Sequence, residues 1–249
     1  MRVSKDSLRS WTRRFVEVPQ GVPRLVCFPH AGGSAASFRP LAQALAPKAE
    51  AWCVQYPGRQ DRRHEPFLDS VPALADAAFA ALRHELDGPF AFFGHSLGAV
   101  VAFEVARRFE QLTAQGPGRL IVSARRAPSI VRDERVHQRD DAGLIRELDR
   151  LGGTASALLA DADMRALVLP VVRADYRAVE TYRPHPESAQ VTCPISVFAG
   201  KDDPVAPLPE VRAWDAHTVS HTDVRAFPGG HFYLDDDPGA VARALLDVM

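Results

Sequence analysis

Six short apolar stretches recur along the chain, at residues 24–28 (RLVCF), 51–56 (AWCVQY), 90–93 (FAFF), 119–123 (RLIVS), 195–199 (ISVFA) and 224–227 (VRAF). Most are apolar at consecutive rather than alternate positions, so neither face of the strand they form can stay in water. A parallel sheet covered by helices on both sides requires that pattern. Between the stretches, residues 37–45, 71–86, 97–112 and 208–217 carry helical periodicity, and residues 238–248 predict a terminal helix. In the second of these, Val71, Leu74, Ala75, Ala78, Phe79 and Leu82 repeat at three and four residues, which turns one face toward the sheet. The alternation predicts an α/β fold with a mostly parallel central sheet flanked by helices, as a single domain over residues 1–249.

Residues 125–193 break this rhythm. A crossover between parallel strands needs only about 12 residues or slightly more, so most of this interval must do something besides connect. Residues 142–151, 155–159 and 164–182 read as helices, with 161–164 as a turn or cap. Leu158, Leu159, Met164, Leu167, Val168, Val171, Val172, Tyr176 and Tyr182 give the interval more apolar surface than a decorative loop needs. The expectation is a helical lid over the C-terminal edge of the sheet. Extra core packing is the plainer alternative.

Composition narrows the function more than the fold. The 30 Lys and Arg against 31 Asp and Glu leave a formal charge of −1 over 249 residues, without the concentrated basic face that nucleic-acid binding exploits. Cys27, Cys53 and Cys193 lie far apart, match no zinc or disulfide spacing, and read as buried apolar groups in a reducing compartment. The N-terminus has no continuous apolar run, and residues 89–103 are interrupted by Gly94, His95, Ser96 and Gly98, whereas a membrane span needs about 20 mostly apolar residues. A soluble cytoplasmic protein that binds neither membrane nor nucleic acid is expected.

The strongest chemical signal is Gly94-His95-Ser96-Leu97-Gly98, set between an apolar strand and a helix. A serine in such a turn is presented at a helix N-terminus, where unpaired N–H groups favour developing negative charge. A hydroxyl is a poor nucleophile until a base takes its proton. His231, in Gly229-Gly230-His231-Phe232 directly after the last strand, stands at the same sheet edge. Gly200-Lys201-Asp202-Asp203-Pro204 ends the strand before it in two acids and completes the order serine, acid, histidine. Asp203 has the better case because Pro204 locks the turn after it; Asp202 is the alternative. The loop after residues 119–123 (ARRAP) carries no acid.

An oxyanion needs two donors. Leu97 N–H follows the serine, and Ala31 N–H is the best candidate in Pro29-His30-Ala31-Gly32-Gly33-Ser34, where His30 is expected to brace the loop. That loop lacks the frame of a phosphate-binding loop, and His217 with His221 lacks a third ligand, so neither cofactor nor metal is expected.

Together, WTRRF (11–15), FPHAGG (28–33), YPGR (56–59), GHSLG (94–98), GKDD (200–203) and GHF (230–232) resemble the type II thioesterases. These are free-standing α/β-hydrolases that accompany modular polyketide synthases and nonribosomal peptide synthetases. The resemblance implies a Ser96, Asp203 and His231 triad, an oxyanion hole at Ala31 and Leu97, and a lid in the 125–193 interval. It also implies hydrolysis of stalled or aberrant acyl groups from the phosphopantetheine arm of an acyl or peptidyl carrier protein, by a monomer. Leu158, Leu159, Met164 and Val168 are the candidates for acyl contact. Arg59, Arg125 and Arg126, each following a strand near the active edge, are the candidates for contact with an acidic carrier. A general small-ester or other serine hydrolase of the same fold is the alternative function.

Overall fold

The computed structural model describes residues 10–152, 159, 161–184 and 190–249. Strands β1 (Thr12–Arg13), β2 (Arg24–Phe28), β3 (Glu50–Val54), β4 (Phe90–His95), β5 (Arg119–Ser123), β6 (Ile195–Gly200) and β7 (Thr222–Phe227) form a sheet in the order β1-β3-β2-β4-β5-β6-β7. All neighbours are parallel except β1, which runs antiparallel to β3. This is the α/β-hydrolase architecture. β1 was not predicted: two residues of mixed polarity carry no periodic signal, and pairing of Thr12 with Val54 and Arg13 with Cys53 defines it.

Helices α1 (Arg39–Leu45), α2 (Val71–Leu82) and α3 (Leu97–Leu112) link the first parallel strands; α6 (Leu208–Arg212), α7 (Tyr233–Asp236) and α8 (Pro238–Val248) follow β6 and β7. Ser70 caps α2 by accepting a hydrogen bond from Ala73 N. α2 ends four residues earlier than its periodicity suggests, yet Leu86 stays buried in the looser turn that follows. The predicted 208–217 helix divides into α6 and a 3₁₀ turn over Ala213–His217.

Successive strand residues feed opposite cores, as the continuous apolar runs require. Val26 and Phe28 pack with Phe92, α2 and α3 on one face, while Leu25 and Cys27 pack with Phe93, α1 and α8 on the other. The sheet order reverses between β2 and β4, and the loops leaving their C-terminal ends flank the crevice where α/β folds place ligands.

The helical insertion lies between β5 and β6. It contains a 3₁₀ turn (Val136–Gln138), α4 (Asp141–Leu151) and α5 (Ala162–Thr181). Asp140 and Asp161 cap the two helices, accepting from Gly143 N at 2.8 Å and from Met164 N at 2.9 Å. Its apolar residues build a separate small core of Val136, Leu144, Leu159, Leu169 and Val172. The predicted 155–159 helix lies, apart from Leu159, outside the described residues.

Candidate active site

The turn at Ser96 exists because two residues beside it have no side chain. A Cβ on Gly98 would stand 1.9 Å from Phe28 O, and one on Gly94 would stand 2.1 Å from Gly98 O. Strand, turn and helix can therefore approach closely only with glycine at both positions. Ser96 itself has φ +55° and ψ −115°, a backbone state that is costly for a non-glycine residue. Its N–H donates to Ser123 O at 2.8 Å, which ties the turn to β5. Leu97, as the first residue of α3, carries an N–H with no carbonyl one helical turn behind it.

His231 and Asp203 meet through backbone contact between their loops. Gly200 ends β6 where a Cβ would lie 2.1 Å from Gly230 O, and Lys201 N and Asp202 N donate to Phe227 O and Gly229 O at 2.9 and 3.0 Å. His231 Nδ1 consequently donates to Asp203 Oδ2 at 2.9 Å, with both side chains almost wholly buried at 2% and 0% exposure. The other carboxylate oxygen, Oδ1, accepts from Val205 N at 2.9 Å. Asp202, by contrast, is exposed.

Ser96, Leu97, Ala31 and His231 line one cavity of about 40 Å³, room for only a few water molecules. His30 and Phe232 line it too, with their rings 4.9 Å apart, edge to face. Burial, with His231 and Arg59 adding repulsion, lowers the His30 pKa to about 3, so His30 is neutral. His95 is likewise held well below the usual imidazole range by burial first, then by His231 and His30. His95 Nδ1 lies 2.9 Å from Ser123 Oγ, which also bonds Tyr233. The His95 ring lies 5.3 Å from that of His231, and the His30 ring 5.9 Å from that of His95.

The insertion supplies the opposite wall through Glu134, Glu147, Leu148, Leu151, Tyr176 and Val179. Of the candidates for acyl contact, Leu159 and Val168 pack in the insertion's own core, Met164 sits in the first turn of α5, and Leu158 lies outside the described residues. Leu159, Met164 and Val168 are not among the cavity's lining residues.

Two of the arginines expected at a carrier-docking surface are buried instead. Arg59 Nη1 and Nη2 donate to Asp175 Oδ2 and Oδ1 at 2.8 and 3.0 Å, at 6% and 0% exposure. Arg126 donates to Glu134 at 2.8 and 3.3 Å and is 4% exposed. Position after a strand does not fix exposure, because such arginines face inward when an insertion folds over the edge.

Asp175, which sequence reasoning missed, extends further. Gly32 N donates to its Oδ2 at 2.7 Å, while Arg59 Nη1 donates to Gly33 O at 3.1 Å. One carboxylate on α5 therefore holds the loop that carries Ala31. Nothing local marks it, because between Arg173 and Arg177 on a helix Asp175 looks like any solvated acid.

The arrangement can perform acyl transfer: a strained serine at a helix N-terminus, a histidine oriented by a buried acid, and glycine-rich backbone facing the same cavity. A family model described as thioesterase domain matches residues 23–248. The chain is 52% identical over 238 residues to the thioesterase PikA5 of Streptomyces venezuelae, covering 95% of this chain and 84% of that one. Among solved structures, the type II thioesterase BorB from the borrelidin biosynthetic cluster superposes with a TM-score of 0.89 at 43% identity, covering 96% of this chain and 97% of the other. YbtT, a type II thioesterase from the yersiniabactin NRPS/PKS pathway, gives 0.86 at 30% identity, covering 95% and 97%. Similarity that runs through the sheet, both glycine-rich turns and the insertion makes this chain a member of the thioesterase family.

Proposed function

We propose that the protein is a type II thioesterase that removes stalled or aberrant acyl groups from the phosphopantetheine arm of acyl or peptidyl carrier proteins, with Ser96, His231 and Asp203 as its triad. The observation that carries this reading is the buried His231–Asp203 pair facing the same cavity as a serine with φ +55°. The names of BorB and YbtT as type II thioesterases support the substrate class.

In the first half-reaction, His231 Nε2 takes the Ser96 proton as Oγ attacks the thioester carbonyl. The N–H groups of Ala31 and Leu97 receive the oxyanion. Collapse breaks the C–S bond, the thiol leaves with the proton held by His231, and Ser96 remains acylated. Water then attacks the ester, giving its proton to His231; collapse returns that proton to Ser96 and releases the carboxylic acid. Because a thiol is far more acidic than an alcohol, charge stabilisation by the two N–H groups weighs more than leaving-group protonation in the first half. Asp203 holds Nδ1–H and so keeps Nε2 free to act as the base.

The insertion acts as a lid within one domain, narrowing the chamber and excluding bulk water while admitting the water that deacylation consumes. Carrier recognition does not run through Arg59 or Arg126, which are buried in ion pairs. Among the described residues no helix is long and apolar enough to cross a membrane. The protein acts as a monomer in the cytoplasm, beside the synthase whose carriers it clears.

The test is intact-protein mass spectrometry with a serine-directed phosphonate, paired with hydrolysis of one acyl group on a holo-carrier protein and on free pantetheine. A single adduct that disappears in Ser96→Ala, with faster turnover of the carrier-bound group, is expected. Labelling of Ser96→Ala would remove Ser96 as nucleophile, and equal rates on carrier and pantetheine would remove the carrier as partner.

A further inference from the structure

Strands β4 and β5 pair His95 with Ser123, so Ser96 and Ala124 are the next residues on adjacent strands. Both have positive φ without being glycine, +55° and +51°. Each is anchored to the neighbouring strand through its N–H, Ser96 to Ser123 O and Ala124 to Phe198 O at 2.8 and 2.9 Å. Backbone strain of this kind persists only where the surroundings impose it. At Ser96 it presents the nucleophile. At Ala124 it turns the chain one residue before Arg125.

Arg125 is held firmly. The indole N–H of Trp214, itself fully buried, donates to Arg125 O at 2.9 Å. The Arg125 side chain lines the cavity that contains Ser96 and His231. The arginines around it are engaged: Arg126 bonds Glu134, Arg132 lies 3.5 Å from Glu134 and also pairs with Glu210, and Arg139 and Arg150 bond Glu147 at 3.1 and 2.6 Å. The Arg125 guanidinium, unlike its carbonyl, makes no hydrogen bond or ion pair among the described residues. Burial, then repulsion from Arg126, lowers its pKa to about 10, which leaves it a cation at neutral pH. A guanidinium offers five donors and no acceptor, and the half-buried Arg125 holds its donors toward the cavity.

We propose that Arg125 is a specificity-determining residue that donates a hydrogen bond to an uncharged oxygen carried on the acyl chain close to the thioester carbonyl, so that short hydroxyacyl and oxoacyl thioesters are preferred over saturated ones. Adjacent strands lie about 4.8 Å apart, which puts Arg125 one strand from the serine and within reach of the first acyl carbons. The oxygen is uncharged because Glu134 and Glu147 line the same cavity, and a carboxylate brought beside them would meet like charge. The small cavity favours a short chain. This inference rests on the thioesterase reading and adds to it a substrate class.

The experiment measures kcat/KM for pantetheine thioesters of butyryl, 3-hydroxybutyryl, 3-oxobutyryl and malonyl groups, in the unaltered protein, Arg125→Met, Arg125→Gln and Ser96→Ala. The ratio of either oxygenated substrate to butyryl should fall about tenfold or more in Arg125→Met, and less in Arg125→Gln, which keeps a donor. Each ratio is internal to one protein, so partial loss of folded material cancels, and either variant suffices if the other does not fold. A ratio unchanged by both substitutions overturns the proposal while Ser96-dependent hydrolysis keeps the thioesterase reading. Malonyl showing the largest dependence on Arg125 overturns it in favour of anion binding. If no thioester in the set is hydrolysed in a Ser96-dependent way, the thioesterase reading and this proposal fall together.

Discussion

The C-terminal edge of the sheet and the insertion that covers it are held by different physics. At the sheet edge, position is set by backbone: the Ser96 turn by glycines that allow contacts no Cβ would fit, and the His231–Asp203 pair by main-chain bonds between their loops. Beneath it lie two extensive apolar cores, one on each face. The insertion has a much smaller core of its own, sets Ala178 and Val179 of α5 into the larger core, and is pinned to the loop at the sheet edge by charge, through Asp175 to Arg59 and the Gly32 N–H, while within it Glu180 accepts from Val136 N and His137 N at 2.8 and 3.0 Å. Backbone sterics leave a local mark on sequence. A charge pair such as Arg59 with Asp175 leaves none.

The sheet edge should therefore fail by chemistry and the insertion by geometry, and the largest effect belongs to the first. Asp203→Asn should preserve the fold yet favour the wrong imidazole tautomer, lowering the single-turnover acylation rate by up to about 10⁴-fold. Asp202→Asn, at an exposed position, should stay within about twofold. A greater loss at Asp202 would reverse the assignment of the acid.

The clamp comes next. Asp175→Asn leaves Arg59 as a buried cation without a counter-charge, which should cost about 3 kcal/mol in urea denaturation. It should also lower kcat about tenfold through the loop that bears Ala31. Replacing both partners, Arg59→Met with Asp175→Leu, removes the buried charges and should recover most of the stability. The rate should not recover, because Gly32 N and Gly33 O have lost their partners. If rate and stability return together, the clamp is only structural.

This division also explains what the sequence could convey. The strands at residues 24–28 and 119–123 and the helices at residues 97–112 and 238–248 were legible to the residue, because consecutive apolar runs and helical periodicity are local. Gly94 and Gly98 at the Ser96 turn, and the loops that bring Asp203 and His231 together, were legible for the same reason. The lining of the cavity was not. Of the insertion's apolar residues, Leu159 and Val168 face the insertion's own core and Tyr176 faces the cavity, a division that apolarity alone does not reveal, and Glu134 and Glu147 enter the cavity wall from positions with no distinguishing pattern. Arg59 and Arg126 are buried against Asp175 and Glu134, and a lone arginine in sequence does not show such a partner.

That contrast sharpens at Leu148 and Leu159. Leu148→Ala enlarges the cavity wall and should shift preference toward the acyl chain one methylene longer by about fourfold, from the roughly 0.8 kcal/mol each buried CH₂ contributes. Leu159→Ala, in the insertion core, should lower stability by about 2 kcal/mol or more while leaving the chain-length profile in place. Chain-length profiles that move in Leu159→Ala and not in Leu148→Ala would put the chamber on the other side of α4.

The smallest effect concerns His30, where the loop held by the clamp meets the sheet edge. Its folded-state pKa of about 3 lies below the ordinary value near 6.5, so between those limits the unfolded chain binds the extra proton. Stability from keeping His30 neutral is thus fully present above about pH 6.5 and is lost as pH falls toward 3, with a slope that for one group cannot exceed about 1.4 kcal/mol per pH unit. His95, lowered for the same reason, adds in the same direction. Thermal unfolding between pH 7.5 and 5 should accordingly show a falling Tm, and the fall should be shallower in His30→Gln, which has no proton to gain. An unchanged slope in that variant would mean that His30 is protonated alike in the folded and unfolded chains, and that the loop beside Ala31 opens to water before the sheet edge does.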